Sequence, residues 1–408
     1  MTRTPTAIEK RSTLPSPHKA MASLLTKLSP VATRHVPLAQ ASGRVLANPV
    51  VTDRPSPPCD ASAMDGYALR TDCLKKGRLS VTDEVATGHA PPTLRPDQAV
   101  RVFTGGAVPA EAQVVIRRED VNEQIDAIDL PEGLDTRPGA NIRYRGENAP
   151  AGEAVVEAGA LVTPAVAAAM GAFGVAEPKV FDRVRISVLV TGDELLPVDA
   201  TPQPWQIRDS NSQTLATLLG DIPWIKLLDI RHVHDQLDPL TDALRAALDS
   251  SDAVLLTGGV SMGDYDFVPA AVGAAGGTIA FHKLAMRPGK PLLGGVGPNG
   301  QAILGLPGNP VSVMVTARRW ASVALRKRAG LAQPDPPAAM VRLVNPTNKR
   351  LSLWQYQPVR LTAAGQAERI ETMGSGDLAG PAASDGFVEL PPDAAGVGPW
   401  PFYPWNWT

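Results

Sequence analysis

Between positions 184 and 306 the chain alternates short apolar runs with longer amphipathic ones. Val184–Val190, with Ile186, Val188 and Val190 apolar, predicts a strand. Ser210 to Leu219 reads as a helix capped by Ser210 or Asn211. A strand over 225–230 follows, then an amphipathic helix over 237–248 on Leu237, Leu240, Leu244 and Leu248. Residues 253–256 are apolar on both faces, as in a central parallel strand. Strands over 278–284 and 301–306 complete the series, and Asn309-Pro310 caps a helix to about Ala329. Strand–helix alternation of this kind predicts a doubly wound α/β domain.

The flanking segments have other textures. His18–Leu28 predicts a helix, after a loose tail over 1–16. Pro37–Leu46 reads as a short strand and a helical turn. Residues 56–146 carry short β-type runs (79–85, 99–102, 113–116 and 121–128) between Gly and Pro turns, a small β-rich module. Around 147–181 the chain returns to Ala-rich sequence, with Thr163 as cap and Pro164 opening a helix through Phe173. A linker, Gln333–Pro337, leads into short strands at 338–408. The expected fold class is therefore multidomain α/β plus β. Its parts are a linking domain (17–55 with 147–182), an inserted β-rich domain (56–146), an α/β domain (183–332) and a small C-terminal β domain (338–408).

Totals change this picture little. The chain has 408 residues, 44% hydrophobic, and a formal charge of −2 from 39 basic and 41 acidic residues. Several domains are expected at that length. The near-neutral balance argues against a nucleic-acid partner, so any anion must meet local positive charge. The 40 prolines, roughly twice the usual share, indicate many turns. Cys59 and Cys73 show no disulfide or zinc spacing. The N-terminus lacks the apolar core of a signal peptide, and 162–176 is short for a membrane span. The expectation is a cytoplasmic protein with no membrane association.

Chemistry concentrates in glycine-rich turns that close the apolar runs. These are Thr191-Gly-Asp-Glu-Leu195, Thr257-Gly-Gly-Val-Ser-Met-Gly263, Arg287-Pro-Gly-Lys-Pro291 and Leu306-Pro-Gly-Asn-Pro310. In an open α/β sheet, ligands sit beyond the carboxyl ends of the strands, and glycines let backbone N–H groups approach an anion. Asp193-Glu194, beside Gly192, suits a Mg²⁺ site or a base, or equally an acidic turn. Gly258, Gly259 and Ser261, with Asp264 and Asp266 beyond, suit a phosphate cradle with metal-binding carboxylates, or a plain strand-to-helix turn. Arg287 and Lys290 can face one anion, or form a surface turn. Pro307 and Pro310 stiffen a turn in which Asn309 caps the next helix. Upstream, Asp60 and Asp65 lie in an apolar setting unusual for a loop, where a tight Asp-Gly turn is the simpler account. Arg143 and Arg145 form ordinary ion pairs on the same terms. His232 and His234 share a strand face without metal-ligand spacing.

As a set these motifs resemble the molybdopterin molybdenumtransferase family, of the MoeA or gephyrin E-domain type. The resemblance covers roughly residues 20–330 and weakens beyond. It rests on Ser62-Ala-Met-Asp-Gly-Tyr-Ala68, Thr104-Gly-Gly, Arg143-Tyr-Arg-Gly-Glu147, Thr191-Gly-Asp-Glu-Leu195, Gly258-Gly-Val-Ser261, Pro288-Gly-Lys-Pro291 and Leu306-Pro-Gly-Asn-Pro-Val-Ser312, which occur in the family's order. It implies an elongated homodimer of four-domain chains. The active site would lie between the α/β domain of one subunit and the β-rich domain of the other. The implied reaction inserts molybdate into the dithiolene of adenylylated molybdopterin, with Mg²⁺ and release of AMP. By motif position Asp65, Thr104, Glu194 and Asp266 would be catalytic. Mg²⁺ and molybdate would lie among Asp65, Glu194, Asp264 and Asp266. Thr191, Gly192, Gly258, Gly259, Ser261, Arg287, Lys290, Pro307, Asn309, Pro310, Arg143 and Arg145 would hold the ligand. Implied partners are the molybdopterin adenylyltransferase and molybdoenzyme chaperones.

The chain departs from the family's pattern in places. Arg231-His-Val-His-Asp235 replaces a paired Asp after Arg, Asn148 replaces an acidic residue, Cys59 and Ala61 replace Phe and Asn, and Arg287 replaces Lys. A non-catalytic molybdopterin-binding paralogue or dimeric scaffold is the alternative these changes raise. A different nucleotide pyrophosphatase is a third reading.

Overall fold

The computed structural model describes residues 14–261 and 266–406. The chain folds into two compact units. One comprises the described part of Met1–Asn48 with Ala158–Ala167 and Glu177–Thr408; the other comprises Pro49–Glu157 with Ala168–Ala176.

The larger unit is organised by a sheet in the order Ile225–Val233, Val184–Thr191, Ala253–Thr257, Ala302–Leu306, Leu293–Val296, Thr278–His282. The first four strands are mutually parallel. Side-chain alternation explains why both faces are covered. Ile186, Val188, Val190, Ala253, Leu255, Ala302 and Leu304 enter one core, with Leu215, Trp320 and the helix Pro17–Leu25. Leu189, Val254, Leu256 and Ile303 enter the other, under Leu240, Leu244 and Val272. Each buried Leu or Val side chain contributes about 1.5–3 kcal/mol. The multidomain α/β-plus-β reading holds. The strand Leu293–Val296 was not expected. It runs antiparallel to both neighbours, and Gly294-Gly295 hid its apolar pattern. The helix beginning at Pro310 is interrupted by a π-helical turn, Ala317–Ala321, before Ser322–Arg328.

The same unit carries the C-terminal sheet. It runs Met286–Arg287, Trp354–Ala363, Gln366–Arg369, Ala339–Leu343, Trp400–Pro404, Gly386–Leu390, and pairing of Trp354–Ala363 with Gly386–Leu390 closes it on itself. Val341, Val359, Val388 and Phe402 fill this barrel. Its first strand, Met286–Arg287, leads into the Arg-Pro-Gly-Lys turn. The aromatic tail is part of the barrel up to Pro404. Trp405 then donates from Nε1 to Ser384 Oγ at 3.0 Å, and Trp407 lies outside the described residues.

The smaller unit holds a sheet in the order Val114–Arg117, Gly66–Leu69, Gln98–Val102, Arg78–Val85, Ala127–Asp129, Asn122–Glu123. Two expectations need correction here. The run 121–128 is a hairpin, turning at residues 124–126, because a polar break interrupts the apolar pattern. The segment around Asp65 is more than a tight turn, because Gly66–Leu69 is an interior strand with every residue buried. A Cβ on Gly66 would lie 2.1 Å from the carbonyl oxygen of Ile116. The bare backbone is what allows that strand to pack. Val166 N donates to Thr163 Oγ1 at 3.3 Å, capping the helix Pro164–Ala172 as its sequence requires.

Candidate active site

In the smaller unit, Asp65 is exposed just before its buried strand. Thr104 donates to Asp65 Oδ1 from both its amide, at 2.8 Å, and its hydroxyl, at 2.9 Å. The Thr104 amide and then its hydroxyl hold the Asp65 carboxyl below its ordinary range. Asp65 borders an open depression with Arg118 and Glu123. Arg118 binds Glu123 through Nε at 2.8 Å and Nη2 at 3.0 Å, and Tyr67 Oη donates to Glu123 Oε1 at 2.6 Å. Arg118 and then Tyr67 draw the Glu123 carboxyl down to about 2, while burial, followed by Glu123, pushes the Tyr67 phenol up to about 12. Sequence reading missed Arg118, Glu123 and Tyr67 as a network, since Tyr67 reaches Glu123 from 56 residues away and only strand pairing brings them together. Arg143 donates to Glu147 and to Asn148 at 2.6 Å each, and the Arg145 amide donates to Asp60 at 2.8 Å. Asn148 thus accepts from Arg143 through its side-chain oxygen.

In the larger unit, several glycine turns meet at the carboxyl edge of the sheet. The Gly258 amide donates to Leu306 O at 3.3 Å, and Asn211 Nδ2 donates to Gly308 O at 2.9 Å. Gly258 has φ of 88°, and a Cβ there would stand 2.3 Å from Thr191 O. Thr191 donates to Asp235 through its hydroxyl, and the Asp235 amide donates to Asp193 Oδ1 at 3.4 Å. These bonds lash the Thr191-Gly-Asp-Glu turn to the next strand end. Glu194, at that turn, is exposed, and its carbonyl accepts from Ile207 N at 2.9 Å; the Gly192 carbonyl accepts from Leu195 N at 3.1 Å. Gly259 is half-buried, Ser261 exposed and Asp266 half-buried ahead of the helix Val268–Ala274. Asp264 lies outside the described residues. His232 pairs with buried Asp209 at 2.8 Å and His234 with Asp193 at 3.3 Å, so the substituted histidines engage carboxylates.

The remaining turns form a cleft of about 650 Å³. Arg287, Lys290, Pro307 and Asn309 line one side of it, and Lys349 and Arg369, from the C-terminal barrel, line the other. Pro310 opens the helix at this cleft. That size suits a small-molecule ligand; Arg369 pairs with Glu371, also on the lining, at 2.8 Å, and the remaining excess of cations favours an anionic one. Lys349 and Arg369 escaped sequence reading because only the pairing of Met286–Arg287 with Trp354–Ala363 brings the barrel to the Arg287 turn.

Among the described residues, no group of three or more His, Cys, Asp or Glu side chains is assembled to hold a metal. Mg²⁺ does not require one. It commonly takes one or two carboxylates, completing its shell with water and substrate phosphate oxygens. Exposed Glu194 and half-buried Asp266 carry that hard-oxygen chemistry.

This is an α/β protein with a cationic cleft at the strand ends, the site class of anion-binding enzymes. Comparison identifies it further. The MoeA N-terminal region (domain I and II) matches residues 15–174, and a probable molybdopterin binding domain matches residues 187–327. A molybdopterin molybdenumtransferase of Nostoc sp. is 36% identical over 315 residues, 75% of this chain and 71% of that one. Molybdopterin molybdenumtransferase 2 of Mycobacterium tuberculosis is 35% identical over 382 residues, 89% of this chain and 92% of its own length. The crystal structure of a molybdopterin biosynthesis MoeA protein from Pyrococcus horikoshii OT3 superposes with a TM-score of 0.78 at 26% identity, covering 96% of this chain and 98% of that one. The chain belongs to the MoeA family of molybdopterin molybdenumtransferases.

Proposed function

We propose that this protein is a working molybdenum-inserting transferase of molybdenum cofactor biosynthesis. It would act on adenylylated molybdopterin and molybdate, with Mg²⁺, and release AMP. The observation that carries this reading is the cleft in which Arg287, Lys290, Lys349 and Arg369 face one volume. An adenylylated pterin bears phosphate charge, and molybdate is a dianion; both need cations held in place. Asn309 and the backbone of the Gly258 and Gly308 turns would orient the phosphates. Glu194 and Asp266 would hold Mg²⁺, which when bound neutralises charge on the phosphates during cleavage. Water would add to the adenylyl phosphorus and the pyrophosphate bond would break, releasing AMP and leaving the other phosphate on the pterin; both dithiolene sulfurs would then bond molybdenum as their two thiol protons leave with one molybdate oxygen as water. Asp65, oriented by Thr104, would bind or deprotonate at the reacting end.

A homodimer, a cytoplasmic location and work beside a molybdopterin adenylyltransferase and molybdoenzyme chaperones belong to the same proposal. Among the described residues no helix is long and apolar enough to cross a membrane. The four-part division into 17–55 with 147–182, 56–146, 183–332 and 338–408 is likewise part of it.

The test is incubation with adenylylated molybdopterin, molybdate and Mg²⁺, followed by metal analysis of the pterin and assay of AMP. Stoichiometric molybdenum in the pterin with equal AMP is the expected result. The pairing of His234 with Asp193, next to Glu194, favours a second reading, a paralogue that binds without turnover. Tight pterin binding with no rescue of a strain lacking its transferase would establish that one instead.

A further inference from the structure

Several charged side chains of the larger unit are buried outside the cleft, and Arg319 is the one held by the most partners. Arg319 is 3% exposed and sits in the π-helical turn Ala317–Ala321. Turns of this type recur at functional sites because they re-aim side chains that a regular helix would place elsewhere. Arg319 Nε donates to Glu389 Oε2 at 2.6 Å, and Glu389 is equally buried. The other guanidinium nitrogens reach Asp335 at 3.0 and 3.3 Å. The guanidinium lies 4.1 Å from the Trp320 ring and 4.7 Å from the Tyr403 ring, and His18 meets the second oxygen of Glu389 at 2.9 Å. The N-terminal helix, the linker and the C-terminal barrel are thus joined at one guanidinium.

That junction lies directly behind the cleft. The helix carrying Arg319 into its π turn starts at Asn309, a cleft residue. Glu389 stands opposite Tyr356 across the barrel sheet, Trp320 Nε1 donates to Tyr356 Oη at 3.2 Å, and Tyr356 lines the cleft. An apolar contact between the two domains would be non-directional. A buried, hydrogen-bonded ion pair demands one geometry, because either partner alone is costly to bury.

We propose that Arg319 is a positioning residue: through Glu389 it holds the C-terminal barrel at one angle to the α/β sheet and so sets the width of the anion cleft. The consequence for turnover rests on the function proposed above; the angle itself does not.

The test compares the full-length protein with the double variant Arg319→Met/Glu389→Leu, whose apolar pair preserves packing, and with Arg319→Lys, which keeps the charge without the fork. Spin labels on Asp249→Cys and Leu361→Cys, in a Cys59→Ser/Cys73→Ala background, report the distance between sheet and barrel. Steady-state kinetics report turnover of adenylylated molybdopterin. In both variants the distance distribution broadens, and KM rises roughly 10- to 100-fold with kcat little changed. If the double variant does not fold, the Arg319→Lys result decides. An unchanged distribution overturns the proposal, whether or not KM moves, and so does a broadened one with unchanged KM. A broadened distribution in a protein whose unsubstituted form never turns over sinks the functional reading and leaves the positioning role standing.

Discussion

Thr104 grips one oxygen of Asp65 with both its amide and its hydroxyl, leaving Oδ2 without a partner among the described residues. The carboxylate is oriented by a residue 39 positions away. Thr104→Val keeps the amide bond and removes the hydroxyl. The Asp65 pKa rises toward its ordinary value, read by NMR titration, and turnover falls about tenfold through lost orientation. Asp65→Asn costs roughly 100-fold or more with Tm within about 2 °C of the parent. An unchanged rate in Asp65→Asn would remove this group from the chemistry.

Glu194 is exposed and sits on a turn tied by Thr191, Asp193 and Asp235 rather than by its own side chain. Glu194→Ala therefore abolishes molybdenum insertion while leaving Tm nearly unchanged. Metal removal with EDTA produces the same loss in the parent protein. A large drop in Tm would make Glu194 structural.

Gly258 combines φ of 88° with a Cβ position 2.3 Å from a strand carbonyl. Gly258→Ala meets both penalties and destabilises the protein by about 3 kcal/mol or more, measured by denaturant unfolding. A loss under about 0.5 kcal/mol would show that the turn can shift freely.

The cations of the cleft act together on an anion. Lys290→Met weakens binding of the adenylylated pterin about tenfold, equivalent to about 1.4 kcal/mol, as read by calorimetry. Raising salt narrows the gap between the two proteins, because the lost term is Coulombic. Equal affinity at low salt would exclude Lys290 from the site.

Burial alone would raise the Glu389 carboxyl, but the hydrogen bond from His18 and the charge of Arg319 outweigh it and hold the group below its ordinary range. Its native pKa is lower than the unfolded one, so this stabilisation is complete above the unfolded value, about 4.3. It is lost as pH falls through the native value. Glu389→Gln leaves Arg319 half-paired and costs about 3–5 kcal/mol at neutral pH. It also flattens the fall of unfolding free energy below about pH 4, and an identical acid limb in the variant would refute the assignment.

Much of the α/β scaffold is local in origin and was legible. Val184–Thr191 and Ala253–Thr257 are long apolar runs, and the helix over 237–250 carries its stripe on Leu240, Leu244 and Leu248. Leu293–Val296 was hidden by two glycines, and Gly66–Leu69 by its proximity to Asp65 and by the lack of a long apolar run. Both are strands because neighbours pair with them, a property no window of sequence contains.

Sequence alone determined the strand–helix order, the glycine turns that close the strands, and the motif series that marks the family, because these depend on neighbouring residues and on backbone conformations few side chains permit. Tertiary structure alone decided that Thr104 holds Asp65, that the Gly258 and Gly308 turns meet over Thr191, that His232 and His234 engage Asp209 and Asp193, and that Lys349 and Arg369 oppose Arg287. Each of those contacts spans a long loop, and its free energy depends on distances that exist only after the sheets have packed.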